Sequence, residues 1–96
     1  MKALISRQTG GPETLEFGEM PDREPGEGEI LIDVKACSIN FPDTLIIEDK
    51  YQVKPPRPFA PGSEVAGTVA KLGAGVEGFA VGDRIITGTG FGGLAE

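Results

Sequence analysis

The sequence predicts a mainly β domain with one short helix. The chain has 96 residues, enough for one core, and is heavily punctuated by 15 glycines and 8 prolines. Yet 39% of the residues are hydrophobic, and Val, Ile and Leu recur in short runs, a composition that favours strands joined by turns over disorder. Between Glu29 and Ala36 the residues Ile30, Ile32, Val34 and Ala36 alternate with Glu29, Leu31, Asp33 and Lys35, the period of a strand with one face on a core. The clearest helix start is at Asn40.

Taken in order, Met1 to Ser6 reads as a strand, Thr9-Gly10-Gly11-Pro12 as a turn, and Leu15 to Met20 as the returning strand of a hairpin. Pro21 to Gly28 is rich in Pro, Gly and acids and is placed on the surface as a connector. After the strand Glu29–Ala36, Asn40 is placed to cap a helix, Pro42 is tolerated in its first turn, and Asp43 lies near the positive end of its dipole. The helix is expected to run to about Glu48. Its Leu45-Ile46-Ile47 run has two β-branched residues and must rely on tertiary packing. Lys54-Pro55-Pro56-Arg57-Pro58 is an extended arm. It leads to a turn stiffened by Pro58 and Pro61 and permitted by Gly62, which presents the polar pair Ser63 and Glu64. Strands follow over Val65–Leu72 and Asp83–Thr87, and Gly88 to Glu96 reads as a glycine-rich loop. With no internal repeat and no interior linker, residues 1–96 are read as one domain.

The net charge of -6 gives the long-range field the wrong sign for a nucleic-acid backbone or an anionic membrane surface, so neither is expected as a partner. There is no histidine and a single cysteine, Cys37. That removes Ser-His and Cys-His catalysis and leaves a poor donor set for zinc, so no metal site is expected. It also rules out an internal disulfide and fits a reducing compartment. No apolar run reaches membrane-spanning length and the N-terminus lacks the form of a signal peptide, so a soluble cytoplasmic protein is expected. Gly73-Ala74-Gly75-Val76-Glu77-Gly78 and Gly88-Thr89-Gly90-Phe91-Gly92-Gly93 both match G-x-G-x-x-G, but neither opens a helix that could hold a pyrophosphate, so both are read as turns or loops. Cys37 is read as a small core residue. Tyr51, the only tyrosine, has two readings: a phenol donating to a developing oxyanion, or a core or interface aromatic.

Met1-Lys2-Ala3, Pro25-Gly26-Glu27-Gly28-Glu29-Ile30, Asn40-Phe41-Pro42-Asp43, Pro61-Gly62-Ser63-Glu64-Val65-Ala66-Gly67, Gly82-Asp83-Arg84-Ile85 and Gly93-Leu94-Ala95-Glu96 together resemble the N-terminal catalytic domain of the medium-chain dehydrogenase/reductase superfamily. Within it they are most similar to the zinc-independent NADPH:quinone oxidoreductases. The resemblance implies a GroES-like, partly open β-barrel. It further implies that residues 1–96 are a fragment, inactive alone, whose NADPH-binding Rossmann domain lies further along a homodimeric parent.

Zinc-dependent relatives carry a cysteine where this chain has Asn40 and Gly-His-Glu where it has Gly62-Ser63-Glu64. The implied reaction is therefore metal-free hydride transfer to a quinone or enone, with a 2-enoyl thioester or alkenal reductase as the alternative. Asn40 and Tyr51 are the implied catalytic residues, Asn40, Phe41 and Asp43 line the nicotinamide cleft, and Glu64 is structural. Leu45 stands where some quinone reductases place another tyrosine. A reading from a different class, a co-chaperonin-like binding module, would need a mobile hydrophobic loop that the sequence does not show at the expected position.

Overall fold

A computed structural model describes residues 1–96. It contains β1 (Lys2–Ile5), β2 (Glu16–Glu19), β3 (Ile30–Ser38), one helix α1 (Phe41–Ile46), β4 (Glu64–Leu72) and β5 (Arg84–Gly88), with a single 3-10 turn at Pro12–Thr14. The fold is mainly β with one short helix, as expected. β1 and β2 form the predicted antiparallel hairpin, with Leu4 opposite Phe17. β3, β4 and β5 form a second antiparallel sheet in that order. The two sheets do not close on one another. Between them lies a groove of about 740 Å³ lined by Met20, Ile30, Ile32, Val34, Val65 and Ala95 among others.

The last residues, expected to be loop, join the two sheets. Leu4 donates its N–H to the Leu94 carbonyl at 2.9 Å, Glu96 donates to Lys2 at 3.0 Å, and Val34 donates to Glu96 at 3.3 Å. Backbone groups that the short strands leave unpaired thus find partners. Both glycine-rich motifs lie outside helices, and residues 73–83 form the turn-rich connection between β4 and β5.

Two expectations need correction. The alternation on β3 is interrupted: Leu31 is half-buried like Ile30 and Ile32, the register shifts between Leu31 and Ile32, and it shifts again where Val34 pairs with Gly67 and Ala36 with Ala66, so Lys35 is left over in a bulge. The extra residue shifts the phase of the side chains. Ala36 becomes exposed and Cys37 turns partly inward, and the strand continues to Ser38. Gly67 lies at this bulge, where a Cβ would collide with the Asp33 backbone carbonyl and lie 2.9 Å from Ile32 Cγ2.

The helix also stops early, at Ile46. Lys50 N–H returns to the Leu45 carbonyl at 2.9 Å, and Asp49 adopts φ 57°, a left-handed conformation that turns the chain. A helix this short is held by what it buries. Ile46 and Ile47 are buried with Phe59, and Leu15 and Tyr51 pack against them. A second small cluster, Ala3, Ile5 and Ala60, lies under β1 with Met20 and Ala95. No helix is long and apolar enough to cross a membrane.

Candidate active site

The ends of β3, β4 and α1 meet at one corner. Register brings Ser38, the last residue of β3, opposite Glu64, the first of β4, and Asn40 follows two residues later at the helix N-cap. Ser38 Oγ donates to Glu64 Oε2 at 3.0 Å. Asn40 Nδ2 donates to Ser38 Oγ at 2.9 Å and to the same Glu64 oxygen at 3.3 Å. The three side chains form a closed polar cluster at the surface. Ile39 and Phe41 flank it at 77% and 73% exposure, a pair of large apolar side chains left in water on either side of a polar residue.

Asp43 stands behind this corner and is 6% exposed. Asn40 and Asp43 form a capping box, in which Asp43 Oδ2 accepts the Asn40 N–H at 2.8 Å. The other oxygen, Oδ1, accepts the Gly62 N–H at 3.2 Å. A buried carboxylate is tolerable only when it is bonded in this way. Its oxygens accept from the helix start and from the Pro61-Gly62 turn.

Gly62 has φ 101°, and a Cβ there would lie 2.7 Å from Cys37 Sγ and 2.8 Å from the Leu94 nitrogen. Only glycine suits the position. Its carbonyl accepts from Gly93 N–H at 2.9 Å and from Thr89 Oγ1 at 3.1 Å, while the Ser63 carbonyl accepts from Thr89 N–H at 2.7 Å. The polar pair predicted at this turn therefore separates. Ser63 is half-buried and its backbone anchors the turn, whereas the Glu64 side chain faces Ser38 and Asn40. Cys37 is half-buried beside them, and burial first, then the Asp43 charge, pushes its thiol up. A thiol so perturbed stays protonated and unreactive near neutral pH.

Tyr51, by its ring, follows the core-aromatic reading of the sequence. Its ring packs against the Ile46, Ile47 and Phe59 cluster. No hydrogen bond within the chain engages its hydroxyl, and every buried side-chain polar atom has a partner, so the hydroxyl reaches solvent. No hydrogen bond links Tyr51 to the Asn40 cluster; the two are connected through α1. The loop bearing Tyr51 is closed by Arg57, whose Nη1 donates to Asp49 Oδ1 at 2.9 Å and Nη2 to the Ile47 carbonyl at 2.9 Å. Arg57 Nε donates to Ser6 Oγ at 3.2 Å, and the guanidinium stacks 5.3 Å from the Phe59 ring centre. Thr9 Oγ1 donates to Asp49 Oδ2 at 2.8 Å. The Thr9 hydroxyl first, and then Arg57, hold the Asp49 carboxyl below the usual aspartate value.

Ser38 and Ile39 are site residues that sequence reading did not identify. Ser38 belongs to the site only through its pairing with Glu64, 26 residues away, and local sequence carries no signal for that register.

Residues 26–96 match the model of the alcohol dehydrogenase GroES-like domain. The chain belongs to this family. As a GroES-like domain it is 40% identical to a quinone oxidoreductase of Lama guanicoe, covering 100% of this chain and 30% of that protein. It is 47% identical to a quinone oxidoreductase of Salmonella typhimurium over 80% of this chain and 23% of that protein. Among solved structures it superposes on the Escherichia coli quinone oxidoreductase complexed with NADPH with TM-score 0.87 at 36% identity, covering 97% of this chain and 28% of the other. The human synaptic vesicle membrane protein VAT-1 homolog-like protein matches with TM-score 0.93 at 34% identity, over 100% of this chain and 31% of the other. The GroES-like domain thus spans about a quarter to a third of the length of these relatives.

Proposed function

We propose that this chain is the acceptor-facing domain of a zinc-independent, NADPH-dependent quinone oxidoreductase acting on a quinone or similar conjugated carbonyl. The observation that carries the reading is the corner where the Asn40–Ser38–Glu64 cluster sits between exposed Ile39 and Phe41. Its donor set is an amide, a hydroxyl and one carboxylate. Zinc prefers thiolate and imidazole, so these groups suit hydrogen bonding to an organic ligand better than metal binding. The residues present fit a nicotinamide and a flat acceptor: apolar side chains that tolerate a ring, and polar atoms that fix its orientation.

When bound, NADPH supplies the hydride. The chain supplies positioning and proton chemistry. Ile39 and Phe41 cover apolar ring surface and displace water from it, which strengthens nearby hydrogen bonds. Asn40, fixed by its neighbours, orients a polar ligand group. The Tyr51 hydroxyl donates to the acceptor oxygen as negative charge develops there, passes its proton to that oxygen, and is reprotonated from water. Asp43 and Gly62 hold the helix start against the turn.

The reading is tested in a full-length protein containing this chain, by following NADPH oxidation with a quinone. Turnover is expected, and Tyr51→Phe should lower kcat about tenfold to a hundredfold with NADPH affinity retained. Absence of quinone-dependent oxidation by the wild-type protein would refute the proposal.

A further inference from the structure

The hydrogen bonds around Asn40 determine which end of its amide a ligand can meet. Glu64 Oε2 belongs to a carboxylate, which when ionised only accepts. Ser38 spends its hydroxyl proton on that same oxygen and so offers lone pairs to Asn40. Both neighbours therefore require the –NH2 end of the amide, whose nitrogen lies 2.9 Å from Ser38 Oγ and 3.3 Å from Glu64 Oε2. The opposite orientation would bring Asn40 Oδ1 against the Glu64 carboxylate, two acceptors with no proton between them. In the orientation observed no hydrogen bond within the chain engages Oδ1, and a carbonyl oxygen has two lone pairs to offer a donor.

We infer that Glu64 and Ser38 are positioning residues that hold the –NH2 end of the Asn40 amide, so that its Oδ1 is the end presented to a ligand N–H or O–H donor. The inference rests on the proposed reading that Asn40 faces bound ligand. It divides labour at the site: with the Asn40 –NH2 end held by Glu64 and Ser38, Tyr51 is the donor to the acceptor oxygen. It also gives Glu64 a function, that of maintaining the polarity of the amide beside it.

Two measurements test this and separate it from the enzymatic reading. In the isotope-labelled 96-residue chain, the Asn40 side-chain –NH2 should show nuclear Overhauser contacts to the Ser38 Hβ and Glu64 Hγ protons. The contacts should persist in Glu64→Gln, whose amide oxygen still accepts, and weaken in Glu64→Leu. A wild-type –NH2 with no such contacts, exchanging freely with water, would overturn the inference whatever the protein catalyses.

In the full-length protein, fluorescence titration with NADPH should show binding about fivefold to tenfold weaker in Glu64→Leu than in wild type, the worth of one neutral hydrogen bond. Binding should be restored in Glu64→Gln. Equal affinity in all three proteins would overturn the positioning role. No NADPH binding by any of them, with the contacts intact, would support the amide orientation and refute the proposed function instead.

Discussion

Asp43 links the helix start to the Pro61-Gly62 turn more directly than any other side chain. It is 6% exposed and accepts from Asn40 N–H and Gly62 N–H, so removing the carboxylate takes the cap from α1 and leaves a buried N–H unpaired. Asp43→Ala should destabilise the fold by about 2–4 kcal/mol, combining a lost cap with one unsatisfied buried donor. Asp43→Asn, which keeps an acceptor oxygen, should cost less. Chemical denaturation of the three proteins checks the ranking, and equal midpoints would remove Asp43 from this role. Tyr51 is the converse case, since its hydroxyl is free of intramolecular bonds and its ring packs on the core. Substitution to Phe preserves the packing and isolates the chemistry.

At the scale of elements, the Arg57 clamp and the β3–β4 pairing yield predictions of different kinds. The Asp49 carboxyl is held below its usual value of 3.8 by Thr9 and Arg57. The unfolded chain therefore binds more protons than the folded one in the window below that value. The stability contributed by Asp49 is complete above its unfolded value and is lost as pH falls through the depressed folded value. Wild type should exceed Asp49→Asn in urea midpoint near neutral pH, and the gap should narrow as pH falls below the unfolded value. A gap independent of pH would contradict the ion pair.

In the second sheet, Gly67→Ala would press a methyl group into the Asp33 carbonyl and Ile32. It should destabilise by about 1–3 kcal/mol, measured by thermal denaturation. A neutral effect would show that the bulge relaxes.

These same elements show where the sequence is legible. The hairpin, the strand from Ile30 and the helix start at Asn40 are local patterns, set by side-chain period and turn chemistry, and all three are present. The phase change at Lys35 is not local, because a bulge is a property of two strands and the partner residues Gly67 and Ala66 lie over 30 residues away. The early end of α1 follows from Asp49 taking a left-handed conformation that its bonds to Thr9 and Arg57 support. At the corner, the placing of Asn40 and Asp43 at the helix start could be read from their motif. The commitment of Asp43 to two backbone donors and the joining of Ser38 to Glu64 required the folded chain.

For the whole molecule, the chain spans about a quarter to a third of its relatives' length, and the proposed activity is assigned to a full-length protein. The 96 residues alone should show no NADPH oxidation with a quinone. The central claim is that the corner at Asn40 serves metal-free hydride transfer. It is tested most directly by measuring quinone-dependent NADPH oxidation in the full-length protein before and after exhaustive dialysis against a strong zinc chelator. The expected result is an unchanged kcat. A rate abolished by chelation and restored by added zinc would contradict the claim.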